Sequence, residues 1–373
     1  MPRLKRKILH LIETTGPGGA ETVLLNIVRW LNRNDFDSLV VILGAGWLHD
    51  QLTARGVDVR IIDSSKANDW KFLRKICRLV KIEGVDLIHS HLDGMNFYAC
   101  LAGLVTRRPV IVTFHGMVGD WQGTGMKSRL KFAVIRKSAT RVVAVSNYLK
   151  RELEQKWRFT SDQVTVIHNG VDFEAFDIQP GKSSLRTELG LEPGTPLIGM
   201  VGNIRGPKAY RYFVEAARLV SDRMPECRFL IVGHGEGDLL NELIGQIEAL
   251  GLKGKVILTG FRHDVAQILA QLDVFMLSSL SEGLSIATIE AMGLGKPVVV
   301  TDSGGPGEIV RDGETGYLVP TADPKALADR AMELLQNHSL AERMGLAARA
   351  DVRLRFSLDQ NVLSYEQLYR ECV

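Results

Sequence analysis

The stretch SEGLSIATIEAMGLGKPVVVT, residues 281–301, holds two carboxylates, Glu282 and Glu290, at either end of a run of small and apolar residues. If the run is helical, eight residues span about 12 Å at 1.5 Å each. Such a pair cannot share a proton as adjacent acids do, and a hydrolytic carboxylate pair would need about 5–10 Å with a water or nucleophile between. Each carboxylate must therefore touch a different part of something long. Gly283, Leu284 and Ser285 are expected to open the helix, where free N–H groups and the helix dipole favour an anion, with Glu282 just before it. Upstream, VGNIRGPKAYRYFVEAA carries Arg205 and Lys208 between a strand and a helix. Arginine offers a planar fork and lysine a point charge, so the two together could neutralise a departing diphosphate.

Other loops could take part. ETTGPGGAETVLLNI brings Gly16, Gly18 and Gly19 to the start of a helix, where glycine lets the backbone approach a phosphate. A dinucleotide fingerprint would need a third glycine where Glu21 stands and an acidic residue where the second strand ends in Gly44 and Ala45, so a nicotinamide cofactor is not expected. The polar loops GHGEGD (233–238) and GFRHDV (260–265), the latter with Arg262, could edge a base or ribose, and TFHG places His115 just past a strand. Two metal readings are set aside. His89 and His91 in HSHLDG are taken to project from opposite faces of a strand, with no third ligand at hand. The Asp35–Phe36–Asp37 triplet falls between a helix and the next strand, on the wrong side of the sheet. Carboxylates accept paired hydrogen bonds from vicinal diols. One glutamate could thus hold sugar hydroxyls and the other ribose hydroxyls, with a diphosphate between them; a nucleotide-sugar is a ligand of that length.

These loops need a frame. Short apolar runs alternate with longer amphipathic ones, which predicts βαβ units around parallel sheets. Strands are expected at 7–12, 39–43, 57–62, 86–90, 109–114, 141–145 and 164–168, and then at 197–202, 228–233, 255–260, 273–278, 297–301 and 316–320. Between the two series, NGVDFEAFDIQPGKSSLRTELGLEPGTP holds turn residues and no strand. The expected division is an N-terminal Rossmann-like domain over 1–178, a linker over 179–195, a second such domain over 196–352 and a helix over 353–373. In open α/β sheets ligands bind beyond the carboxyl ends of the strands, so the two domains are expected to face each other across a cleft lined by these loops.

At 373 residues the chain exceeds one ordinary core, and 45% apolar with 24% charged residues is usual for a soluble globular protein. Cys77, Cys100, Cys227 and Cys372 have neither paired nor metal-ligand spacing and read as reduced thiols, in keeping with a cytoplasmic protein. The basic start before a short apolar run falls short of a secretory signal, and no segment is apolar enough to span a membrane. The net charge of +3 hides a basic first half and an acidic second half. Part of that excess lies in KSRLKFAVIRKSATR, where Lys127, Arg129, Lys131, Arg136, Lys137 and Arg141 surround Leu130, Phe132, Val134 and Ile135. A basic amphipathic helix suits peripheral contact with an anionic membrane surface. Nucleic acid is not expected, because exposed aromatics are not interleaved with the cations.

With those motifs in order, the sequence resembles the retaining GT-B glycosyltransferases of family 4. GPGGAE, TFHG, VSNYL, IHNGVD, VGNIRGPK, GFRHDV, the EGLSIATIEAMGLGKPVV block with its E-x7-E, and GGPGEIV carry the likeness over nearly the whole chain. The resemblance implies that Glu282 holds the donor sugar, Glu290 the ribose, Arg205 and Lys208 the diphosphate, and His115 the sugar from the acceptor side. It also implies a last helix that crosses back onto the first domain. Two positions depart from the family: Asn203 stands where many relatives have arginine, and Leu284–Ser285 replace a phenylalanine–glycine pair. The expected activity is transfer of a hexosyl-type sugar from a nucleotide-diphosphate-sugar to a hydroxyl of a glycan or lipid-linked acceptor. Neither metal nor cofactor is expected, and the expected location is the cytoplasm or the inner face of the cell membrane. A nucleotide-sugar epimerase or hydrolase of the same fold and a catalytically idle nucleotide-sugar-binding subunit are the alternatives.

Overall fold

The computed structural model describes residues 5–63, 69–116, 125–176 and 185–373. The chain forms two compact units, Met1–Gly170 with Leu358–Val373, and Val171–Ser357. The end of the expected first domain, residues 177–178, and part of the expected linker, residues 179–184, lie outside the described residues.

Among the described residues unit one is built on seven strands: β1 (Arg6–Ile12), β2 (Phe36–Ile42), β3 (Asp58–Ile61), β4 (Leu87–His91), β5 (Val110–Phe114), β6 (Arg141–Ala144) and β7 (Val164–Val166). Unit two has six: β8 (Leu197–Val201), β9 (Arg228–Val232), β10 (Val256–Gly260), β11 (Val274–Leu277), β12 (Val298–Thr301) and β13 (Tyr317–Val319). Every expected strand is present, trimmed or extended by a few residues. All pairings are parallel, in the orders β3-β2-β1-β4-β5-β6-β7 and β10-β9-β8-β11-β12-β13. Helices cover both faces of such sheets, so the strands read as continuous apolar runs. In β1, Ile8, Leu9, Leu11 and Ile12 are all fully buried. The order reverses between β1 and β4 in one unit and between β8 and β11 in the other, where a doubly wound sheet opens a crevice at its carboxyl edge.

The returning helix is Leu358–Cys372, and it docks on unit one. It starts later than residue 353 because residues 353–355 finish the helix His338–Arg355, whose last guanidinium is fastened to the Glu308 and Ile309 carbonyls and to Asp351. Its apolar face buries Tyr365 and Tyr369 completely. Polar bonds fix its register: the Asn32 N–H donates to Glu366 Oε1 at 2.7 Å, Arg370 pairs with Asp35 at 2.8 Å, and Asn361 donates to the His168 carbonyl at 2.6 Å. Asp35 is thus a docking residue. Phe36 and Asp37 already belong to β2, at its amino end, rather than to the loop before it.

Tyr369 also meets the Nδ1 of the fully buried His89 at 2.6 Å. Removing that hydroxyl leaves a buried ring nitrogen without its partner, which costs about 1–3 kcal/mol. Tyr369→Phe should lower the unfolding free energy by that amount in urea titration, and an unchanged midpoint would show that the bond contributes nothing.

Candidate functional site

In unit two the site is assembled by the loops after β8 and β11. Leaving β8, the chain turns at Gly202, whose φ of 151° is open to glycine. A Cβ there would lie 3.0 Å from Lys208 Cε. Tyr210 donates its hydroxyl to the Gly202 carbonyl, and a short 3-10 turn, Gly206–Lys208, follows. Asn203 accepts from the His234 N–H at 3.1 Å, which ties this loop to the one after β9. The residue that departs from the family pattern therefore has a structural task, while Arg205, two places on, is exposed to solvent.

Lys208 does not stand free. Its Nζ is 2.7 Å from Glu282 Oε1, with both side chains largely buried, and the Ser279 hydroxyl donates to the same carboxylate oxygen at 2.6 Å. The loops are clamped around this pair. Ser278 donates to the carbonyls of Lys208 and Ala209, Leu280 N–H donates to Pro207 O at 2.8 Å, and Thr301 donates to Ser279 O at 2.6 Å. Glu282 N–H reaches Ser303 O, and Gly305 N–H reaches Glu282 O at 3.0 Å. Gly305 presses so closely on this segment that a Cβ on it would lie 2.1 Å from the Gly283 carbonyl oxygen.

The helix beyond begins at Ile286, later than expected, with Ser285 as its N-cap: its Oγ accepts from the Thr288 N–H at 3.4 Å and from the Thr288 hydroxyl at 2.9 Å. Glu282, Gly283 and Leu284 lie in the extended entry to that helix. The two glutamates are therefore not joined by eight helical residues, and Glu290 sits in the second turn of a helix spanning Ile286–Gly293. Among the described residues no cation or N–H is paired with the half-buried Glu290 carboxyl, and loss of hydration pushes it up to about 7.

Arg262 is placed differently from the expectation. Its guanidinium donates to both Glu188 oxygens, at 2.6 and 2.9 Å, and to both Asp264 oxygens at 2.8 Å, so the fork expected at a base or ribose is committed to a clasp within unit two.

In unit one, Gly18 is the N-cap and Gly19 the first residue of the helix Gly19–Trp30. The chain's own Glu21 lies beside that N-terminus, its Oε2 2.5 Å from where a Cβ on Gly18 would stand. His115, past β5, meets His91 ring to ring, His91 Nδ1 to His115 Nε2, at 2.9 Å. The expectation for His89 and His91 is overturned. Residues two apart in a strand share a face, and the ring centroids lie 4.2 Å apart. A third histidine is at hand as well: His10, the register partner of His89 on β1, brings the ring nitrogens of all three within 4.8 Å of one another. His89, however, has Tyr369 on Nδ1 and Thr113 Oγ1 on Nε2 at 2.8 Å, which suits a hydrogen-bond network better than a three-point ligand set. His10 was legible only by placing β1 beside β4; nothing local in the sequence marks Ser279 as the partner of Glu282.

Two family models match the chain, "Glycosyltransferase Family 4" over residues 17–175 and "Glycosyl transferases group 1" over residues 182–351. This chain is a GT-B glycosyltransferase of family 4. Among its relatives, an Escherichia coli protein named UDP-Gal:alpha-D-GlcNAc-diphosphoundecaprenol alpha-1,3-galactosyltransferase is 28% identical over 99% of this chain and 98% of its own. The N-acetyl-alpha-D-glucosaminyl L-malate synthase of Bacillus anthracis is 25% identical over 81% and 78%. The crystal structure of Anabaena HepE in complex with UDP and glucose superposes with a TM-score of 0.89 at 23% identity, covering 98% of this chain and all of that one.

In this glycosyltransferase, the raised Glu290 carboxyl makes stability depend on pH. Its folded pKa of about 7 lies above the ordinary 4.5. Its contribution is therefore fully present below the ordinary value and is lost as pH rises through about 7. Glu290→Gln, permanently neutral, should gain stability over the wild type at about pH 8 and little at about pH 5 in thermal unfolding. An equal difference at both values would count against the raised Glu290 carboxyl.

Proposed function

We propose that this glycosyltransferase moves a hexosyl sugar, with retention of anomeric configuration, from a nucleoside-diphosphate-sugar to a hydroxyl of a lipid-linked or growing glycan in cell-surface polysaccharide or glycoconjugate assembly. The observation that carries the reading is the Lys208–Glu282 pair, held at 2.7 Å where the strand order of unit two reverses. A cation and a carboxylate side by side match a ligand that presents a diphosphate oxygen beside sugar hydroxyls. Lys208 would turn its ammonium to the departing phosphate, Arg205 would add a second positive charge from solvent, and Glu282 would accept from the sugar hydroxyls. Glu290 would accept from the ribose diol, and His115 would contact the transferred sugar. The positive groups would lie where negative charge develops as the glycosidic bond breaks, the role a divalent cation could otherwise fill. With no protein nucleophile assigned, the leaving phosphate oxygen takes the acceptor proton on the same face.

Two relatives support the choice of ligands. The Escherichia coli galactosyltransferase carries UDP-Gal and a diphosphoundecaprenol-linked sugar in its name and matches nearly end to end, and HepE was solved with UDP and glucose. Both favour a uridine diphosphate donor, and the former a lipid-linked acceptor. The helix Met126–Ser138 supports the same acceptor: Met126 is 85% and Leu130 66% exposed beside exposed Lys127, Arg129 and Lys137. Phe132 and Ile135 face the core instead. Among the described residues no helix is long and apolar enough to cross a membrane, so we assign contact with anionic lipid to this face.

Full-length protein with UDP-, GDP- and ADP-hexoses and a diphosphate-lipid-linked sugar should release UDP alone, with or without EDTA, and Lys208→Ala should slow release roughly 100- to 1000-fold. Absence of donor binding by calorimetry would overturn the donor assignment. Sedimentation with anionic but not neutral vesicles, weakened in Leu130→Glu, checks the lipid face; equal binding to both vesicles rejects it.

A further inference from the structure

The donor groups assigned to unit two leave the matching position of unit one without a task. Its strand order reverses between β1 and β4, and the carboxyl ends of those two strands are where an open α/β sheet takes a ligand. Glu13 follows β1 at that edge, and Asp93 follows β4 as the first residue of the helix Asp93–Thr106. Leu92, between β4 and Asp93, has φ 70° and ψ 156°, a backbone that side-chain-bearing residues rarely adopt and that persists where the surroundings require it. Lys131 approaches from the helix Met126–Ser138, and its charge acts on both Glu13 and Asp93.

The three groups are not equivalent. Glu13 is engaged by the fold: its Oε1 accepts from the Gly94 N–H at 3.3 Å, the Met95 N–H donates to the same carboxylate, and a Cβ on Gly94 would stand 1.7 Å from its Oε2. The anion at the start of this helix is therefore the chain's own, and a second anion brought there would meet it with repulsion. Asp93 has no such partner. Among the described residues its side chain makes no hydrogen bond or ion pair, and the half-buried Lys131 makes none either. Loss of hydration pushes the Asp93 carboxyl up to about 7, against the pull of Lys131 and with a lesser push from Glu13. A carboxyl and an ammonium that feel each other without touching are held apart by the fold. A hydroxyl is the group that can serve both, since it donates to the one and accepts from the other.

The helix that carries Lys131 also places the rest of such a ligand. Met126 and Leu130 are exposed on it, whereas Lys131, the next residue, is half-buried. That layout suits a lipid chain outside and a hydroxylated head inside. We infer that Asp93 is an acceptor-binding residue: its carboxyl accepts hydrogen bonds from ring hydroxyls of the terminal sugar of a lipid-linked acceptor, and that sugar carries no acidic group of its own. The inference rests on the acceptor class proposed above and adds to it the residue that recognises the sugar and the charge the sugar must lack.

Full-length protein with a UDP-hexose and a diphosphate-lipid-linked hexose tests it. Asp93→Ala should raise the acceptor KM roughly 10- to 100-fold with donor KM little changed, the scale of hydrogen bonds to a charged group. Asp93→Asn, which keeps one accepting oxygen, should fall between that protein and the wild type. Acceptors lacking one ring hydroxyl at a time should include one that weakens the wild type and weakens Asp93→Ala no further, as two changes at one contact must. A lipid-linked uronic acid should bind the wild type more weakly than the hexose, and Asp93→Asn should narrow that gap. Calorimetry with a short-chain, soluble form of each acceptor reads the same affinities without turnover. Unchanged acceptor affinity in Asp93→Ala overturns the inference, and so does equal affinity of the wild type for hexose and uronic acid. If Asp93→Ala does not fold, wild-type affinity in Asp93→Asn across the deoxy series overturns it. If the wild type turns over no sugar donor, the functional reading falls while calorimetry still decides the acceptor residue, and no binding of any lipid-linked sugar rejects it.

Discussion

Parallel strands buried on both faces impose one constraint from which the rest follows: everything that can meet a ligand is forced to the carboxyl edge of the sheet. Each strand there hands over to a helix whose first N–H groups have no partner of their own. Where the strand order reverses, neighbouring loops depart in opposite directions. In unit two that parting falls between β8 and β11, and the Lys208–Glu282 ion pair spans it, with Leu280 N–H to Pro207 O as a backbone stitch beside it. The crevice of the bare fold is thus bridged by the groups assigned to chemistry, and a donor would enter by exchanging its own charges for that bridge.

The two glutamates show how environment divides labour between identical side chains. Glu282 has an ammonium and a hydroxyl on one oxygen. Glu290, one turn into the following helix, has only its loss of hydration, and its proton affinity rises accordingly. A carboxyl kept so poorly solvated is a cost to the empty fold, and a diol that supplied two hydrogen bonds would remove it. Arg262 shows the reverse, a charge paired with two carboxylates, Glu188 and Asp264.

Most of the fold was legible because buried parallel strands leave contiguous apolar runs that need no partner to be seen; RFLIV and VVVT are strands on their own evidence. The loops were legible as positions but less so as geometry. Ser285 reads equally well as a helical residue or as an N-cap, and taking it as helical starts the helix too soon after Glu282. Side-chain partners across strands were the least visible: Ser279 beneath Glu282, Glu21 over Gly18 and Tyr369 on His89 are contacts between elements that no local pattern encodes. The histidine pair of β4 was misread for a different reason. The strand period of two, applied correctly, puts both rings on one face and asks which neighbouring strand supplies a third; the sheet order answers with His10.

The returning helix has a temporal meaning as well as a spatial one. Tyr365 and Tyr369 close the core of unit one, yet the ribosome makes them only after all of unit two. The first unit to leave the exit tunnel is the last that can finish folding, and until then its sheet face, with His10 and His89 upon it, stands uncovered. Synthesis order and folding order are therefore opposed in this chain, and the nascent first unit must wait, partly open, for a segment encoded some two hundred residues later.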